Sequence, residues 1–126
     1  MDKSIMELVA EAKAAVPAIG ADEAAAAMGR DDVVIVDVRE DGEVAELGII
    51  KGAIHASRGM IEFRADETSP MHHPSFSKDK TIILYCATGG RAALAGRALM
   101  ELGYGDVRNL GAFKDWADGG GAVEGP

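Results

Sequence analysis

The chain has 126 residues, enough for one domain whose folding removes roughly two-thirds of its accessible surface, so a core can form without staples. Hydrophobic residues make up 48% and charged residues 27%, as in an ordinary soluble globule, and no apolar run approaches the length of a membrane span. A formal net charge of −8 repels phosphate backbones and anionic lipid surfaces, so neither nucleic acid nor membrane is an expected partner.

In chain order, Ile5, Leu8, Val9 and Ala12 recur at helical spacing and predict an amphipathic helix over residues 1–15, ended by Pro17. Residues 16–126 then read as a single domain. An alanine-rich helix, Glu23 to Met28, is expected next, with Asp22 as N-cap and Gly29 as its stop. Val33-Val34-Ile35-Val36 is a β-branched run without polar alternation, which suits a strand of a parallel sheet buried on both faces. A short strand is expected at Ala53-Ile54-His55, and a continuously apolar one at Thr81 to Tyr85. The intervening stretch, Arg64 to Lys80, reads as a long surface loop. A helix over Ala92 to Leu102 follows, with Gly103 placed for a left-handed C-cap and Tyr104 for its hydrophobic contact. Val107 to Leu110 predicts another strand and Phe113 to Asp118 a last helix, with Trp116 as a core anchor and Gly119-Gly120-Gly121 as a turn or a frayed end. This alternation of strands and helices predicts an α/β sandwich around a parallel sheet.

Cys86 is the only cysteine, which rules out an intramolecular disulfide and a zinc site built from cysteine pairs. With no basic, apolar leader after Met1, the lone thiol reads as that of a cytoplasmic protein. Chemistry is concentrated in Cys86-Ala87-Thr88-Gly89-Gly90-Arg91, between a buried strand and a helix start. Ligands of open α/β sheets bind at the carboxyl ends of strands, beside helix N-termini. The amides of Ala87 through Arg91 are free of helical partners and can turn toward the sulfur. The helix start favours the thiolate, and Gly89 and Gly90 permit the tight backbone that a cradle needs. Arg91, a cation opposed by the helix dipole by about 0.3–1 kcal/mol, calls for a compensating anion held between loop and guanidinium.

This segment resembles the active-site loop of rhodanese domains. Asp37-Val38-Arg39-Glu40, Glu43 and Gly48 to His55 resemble the family's first signature, and Leu102-Gly103-Tyr104, Val107 to Gly111 and Trp116 resemble its closing pattern. Ile49 and Ala112 depart from the family's usual His and Gly. The resemblance implies a three-layer sandwich with a five-stranded parallel sheet flanked by helices on both faces. It also implies a sulfurtransferase in which Cys86 takes sulfane sulfur from an anionic donor such as thiosulfate and yields it, as a persulfide, to cyanide, a thiol or a protein acceptor. The binding residues would be Ala87, Thr88, Gly89, Gly90 and Arg91.

A carrier module working between protein partners is the second reading. A cysteine phosphatase is a third, opposed by a loop one residue shorter than such enzymes use and by the lack of an evident general acid. A redox sensor would lack a resolving cysteine. Around the loop, Asp37 and Arg39 leave the first strand at the same sheet edge and are expected to bind loop backbone or pair with Glu43. Arg58 is read as facing either the site mouth or solvent. No cofactor and no metal are expected: His72 and His73 project apart and lack a carboxylate at ligand spacing, while His55 is expected to hydrogen-bond backbone. Whether the His72-His73 loop borders the site stays open, as does the choice between thiosulfate and mercaptopyruvate, since Ala87 and Thr88 are neutral.

Overall fold

The computed structural model describes residues 2–125. Its main sheet is parallel, in the order β3-β1-β4-β5, from Ile54–His55 (β3), Val33–Asp37 (β1), Thr81–Cys86 (β4) and Val107–Ala112 (β5). The two β-branched or apolar runs, β1 and β4, take the centre, where both faces are covered. The sheet has four parallel strands rather than five. Pro17 to Ile19 runs along β5 but makes a single bridge, Ala18 to Asn109, because Pro17 has no N–H to extend the ladder and Gly20 already caps the next helix.

Helices cover both faces. On one, Ile61–Ala65 (α4) and Gly90–Glu101 (α5) close a core of Val36, Val38, Phe76, Ile82, Leu84 and Leu99. On the other, Ala21–Ala27 (α2) and Phe113–Asp118 (α6) pack Ile19, Ala24, Ile35, Ile83, Tyr85 and Trp116. The first helix, Ile5–Ala15 (α1), lies against α5. Ser4 and Glu7 close a capping box at its start, and the close approach at Gly96, where a methyl group would stand 3.0 Å from Val16, sets the spacing. Val9 and Ala12 of its apolar stripe are buried, whereas Ile5 and Leu8 stay exposed.

Local signals fare well where the cap chemistry is local. Gly103, at φ +103°, ends α5 in a Schellman motif, with Tyr104 N–H donating to Leu99 O and Gly103 N–H to Met100 O. Asp22 is not the N-cap of α2: Gly20 is, and Asp22 lies in the first turn, where its charge suits the helix dipole. The segment 64–80 begins inside α4 and is tied down rather than loose. Phe76 is buried edge-on to Tyr104, whose hydroxyl donates to Ala65 O at 2.7 Å. Of the two readings of Gly119-Gly120-Gly121, the turn is the one observed. Trp116 Nε1 donates to Ala122 O and Gly121 N–H to Trp116 O, and Val123–Glu124 (β6) then pairs antiparallel with Ile49–Ile50 (β2). Among the described residues, no helix is long and apolar enough to cross a membrane.

Candidate active site

Strand β4 delivers Cys86 to the carboxyl edge of the sheet, and α5 starts four residues later at Gly90. Between them Ala87 and Thr88 are exposed, and Gly89, at φ +94°, turns its N–H onto the sulfur at 3.0 Å from Sγ. Gly89 is the loop amide that donates to the sulfur, so the expected ring of donors is reduced to one. The thiol is also fully buried rather than open to solvent. Strand alternation explains this: Ile82, Leu84 and Cys86 share a face and enter one core with Val38, Ala56 and Ala92. Entry of any reagent to Sγ therefore requires the loop to move.

Arg91 sits in the first turn of α5, with its dipole penalty met by a protein carboxylate. Its Nη1 and Nη2 donate to Oε1 and Oε2 of Glu43 at 2.6 and 2.9 Å, both side chains about one-third exposed. Glu43 belongs to Asp41–Leu47 (α3), and the Glu40 N–H also donates to it at 3.0 Å. Hydrogen bonding from Arg91 pulls its carboxyl down to about 2 against partial burial, with Glu40's amide adding to the pull. Arg91 is correspondingly raised, chiefly by Glu43, with further support from the adjacent Cys86.

Glu43 is thus not the partner of Asp37 or Arg39. Those two, both buried, pair with each other: Arg39 Nη2 donates to Asp37 Oδ2 at 2.6 Å, Nε to both carboxylate oxygens at 3.0 Å, and the Arg39 N–H to Oδ1 at 2.9 Å. Nη2 also reaches Gly48 O at 2.6 Å, and the guanidinium stacks over Phe113 at 4.1 Å. His55 Nε2 meets Arg39 O at 2.6 Å, the backbone contact expected of it.

Asn109 is a site residue that sequence reading missed. Its buried Nδ2 donates to Gly89 O at 3.1 Å, while its Oδ1 accepts from Gly111 N at 2.9 Å, so it pins the sulfur loop to the end of β5. The available signal was an amide two residues from Val107, on the same buried face of the strand. Arg58 pairs with Glu62 at 2.9 Å beside Leu8 and Arg97. His72 Nε2 contacts Phe76 O and His73 Nδ1 accepts from Ser75 N, so both rings serve their own loop. Among the described residues no cluster of His, Cys, Asp or Glu is arranged to hold a metal ion.

A parallel sheet with a cysteine loop at its carboxyl edge, closed by an arginine on the next helix, defines a class. The chain belongs to the rhodanese-like domain family, whose model matches residues 20–118. It is similar to a sulfurtransferase of Allochromatium vinosum, 35% identical over 88 residues that cover 69% of this chain and 74% of the relative. A rhodanese-like domain protein from Staphylococcus aureus superposes with a TM-score of 0.68 at 29% identity, covering 86% of this chain and 99% of the other. A protein of unknown function from Rhodopseudomonas palustris, described as a possible tyrosine phosphatase, superposes with a TM-score of 0.88 at 35% identity, covering 98% and 96%.

Proposed function

We propose that the protein is a sulfurtransferase that carries sulfane sulfur as a persulfide on Cys86. The observation that carries this reading is the hydrogen bond from Gly89 N–H to Sγ, at a helix start with Arg91 alongside. An amide and a helix dipole aimed at one sulfur stabilise negative charge there, whether on a thiolate or on the outer atom of a persulfide. The family and the sulfurtransferase relative support it.

In the first half-reaction the Cys86 thiolate attacks the sulfane sulfur of a donor such as thiosulfate. The new S–S bond forms as the donor's S–S bond breaks, and sulfite leaves with the electron pair. In the second, a nucleophile such as cyanide or a thiolate attacks the outer sulfur, and Cys86 departs as thiolate. Neither step needs a general acid, because both leaving groups are stable anions. Glu43 holds Arg91 in place, Asn109 holds Gly89, and the Asp37–Arg39 pair fixes the strand end behind them. The exposed Ala87 and Thr88 form the part of the loop that opens to admit the donor.

The description of the R. palustris protein favours phosphate-ester hydrolysis as a second reading. Against it, the loop has four residues between Cys86 and Arg91, one fewer than cysteine phosphatases use to surround a tetrahedral phosphate, and a single loop amide faces the sulfur. Incubation with thiosulfate followed by intact-mass measurement tests the proposal. A gain of one sulfur, absent in Cys86→Ser, is expected. No gain, together with Cys86-dependent hydrolysis of an aryl phosphate, would replace it with the phosphatase reading.

A further inference from the structure

Helix α1 lies outside the residues matched by the family model, yet it reaches the sulfur loop. A cavity of about 270 Å³ opens beside that loop, lined by Lys13, Val16, Ile19, Thr88, Gly89 and Leu110 among others. Cys86 does not line it, but Gly89, which does, donates its N–H to Cys86 Sγ at 3.0 Å. Lys13 is the one charged residue of the lining, and among the described residues no carboxylate lies within ion-pair distance of it. The placement is built in. Val9 packs on the start of α5, where a methyl group on Gly90 would touch it at 3.7 Å, and Lys13, four residues on, projects from the same helix face. In a chain of net charge −8, a cation without an ion-pair partner beside the sulfur loop is a local exception to the field.

Resting on the sulfurtransferase reading, we propose that this cavity receives the carbon chain and carboxylate of an organic thiol that accepts the sulfane sulfur, and that Lys13 determines this specificity. The walls supply the argument for an organic partner. Leu110, half-buried, and the edges of Val16 and Ile19 give an apolar wall that a methylene chain would cover, which thiosulfate and cyanide lack, and the ammonium selects a carboxylate at its end. The thiol loses its proton to solvent, and its sulfur forms a bond to the outer sulfur of the Cys86 persulfide. The Cys86 Sγ–S bond breaks with its electron pair left on Cys86, and an organic persulfide departs, with no net oxidation.

The test compares two acceptors of similar size, 3-mercaptopropionate and 2-mercaptoethanol, on the persulfidated full-length protein. Expected is a preference for 3-mercaptopropionate in kcat/KM that falls by about tenfold in Lys13→Glu, mainly through KM, and returns in Lys13→Arg. An unchanged ratio, or the same fall in Lys13→Arg, overturns the assignment. A second arm needs no turnover: titration with unreactive 3-(methylthio)propionate, followed by amide chemical shifts. Movement of Thr88, Gly89 and Gly111 in the wild type but not in Lys13→Glu supports the site. Absence of those shifts, or their persistence in the variant, overturns it. Should Cys86 take up no sulfur from any donor, the sulfurtransferase reading falls while this titration still decides the cavity.

Discussion

Glu43 and Arg91 stand 48 residues apart in the chain and meet as a two-pronged ion pair, joining the first turn of α3 to the first turn of α5. Because Arg91 directly follows the loop Ala87 to Gly90 in the chain, this pair transmits the position of α3 to the sulfur loop.

Acid should reveal that link. The Glu43 carboxyl stands at about 2 in the fold against an ordinary value of 4.5. A depressed folded value means the pair stabilises fully above 4.5 and loses that contribution as pH falls toward 2. Both partners are one-third exposed, so solvent screening keeps the effect modest. Urea midpoints of wild type and Glu43→Gln should differ above pH 4.5 and converge below it. A constant offset across that window would count against the assignment.

Gly89 is the position where the loop tolerates least. Its φ of +94° disfavours any side chain, and an added methyl group would stand a tight 3.3 Å from Gly111 Cα. Gly89→Ala should cost about 1–2 kcal/mol of stability from the backbone alone. It should also slow sulfur uptake by Cys86, measured by mass after a timed exposure to thiosulfate. Normal uptake would show that the Gly89 amide is dispensable.

Arg39→Ala should be among the most damaging changes in the chain. It strips a buried Asp37 of its partner, which typically costs about 3–5 kcal/mol. Chemical denaturation measures this directly, and a loss within the range of surface substitutions would mean water replaces the guanidinium.

How readily Cys86 reacts tests the closed loop. With no solvent contact in this conformation, it should react with iodoacetamide more slowly than free cysteine by about tenfold or more, because modification waits on local opening. Asn109→Ala frees Gly89 O and Gly111 N from their shared clamp and should accelerate the reaction. Fast labelling of the wild type would show the loop open in solution.

What the sequence made legible was local or periodic. Val33 to Val36 and Thr81 to Tyr85 could be read as buried strands because the composition of a few adjacent residues decides that state. The Gly103–Tyr104 cap and the cysteine loop were legible for the same reason: each is a short motif whose geometry follows from its own residues. What escaped depended on distant segments. Glu43 showed its acid but not which arginine would claim it. Cys86 carried no mark of its burial, which comes from sharing a face with Ile82 and Leu84 under α5. Asn109 comes beside Gly89 through the pairing of β5 with β4, and Lys13 through the packing of α1 on α5. The missing fifth strand turned on the absent amide hydrogen of Pro17 on one side of Ala18 and the helix cap at Gly20 on the other.

The short ribbon of β2 and β6 works as a buckle for the whole front of the molecule. The backbone of Glu124 and Gly125 lies directly across Gly48, whose carbonyl is held by Arg39. Any substituent at Gly48 would prise the chain's last residues outward, and the jolt would travel through that carbonyl to the guanidinium and on to Asp37. A change 38 residues from the thiol along the chain would thereby loosen the strand end paired with Tyr85, its neighbour.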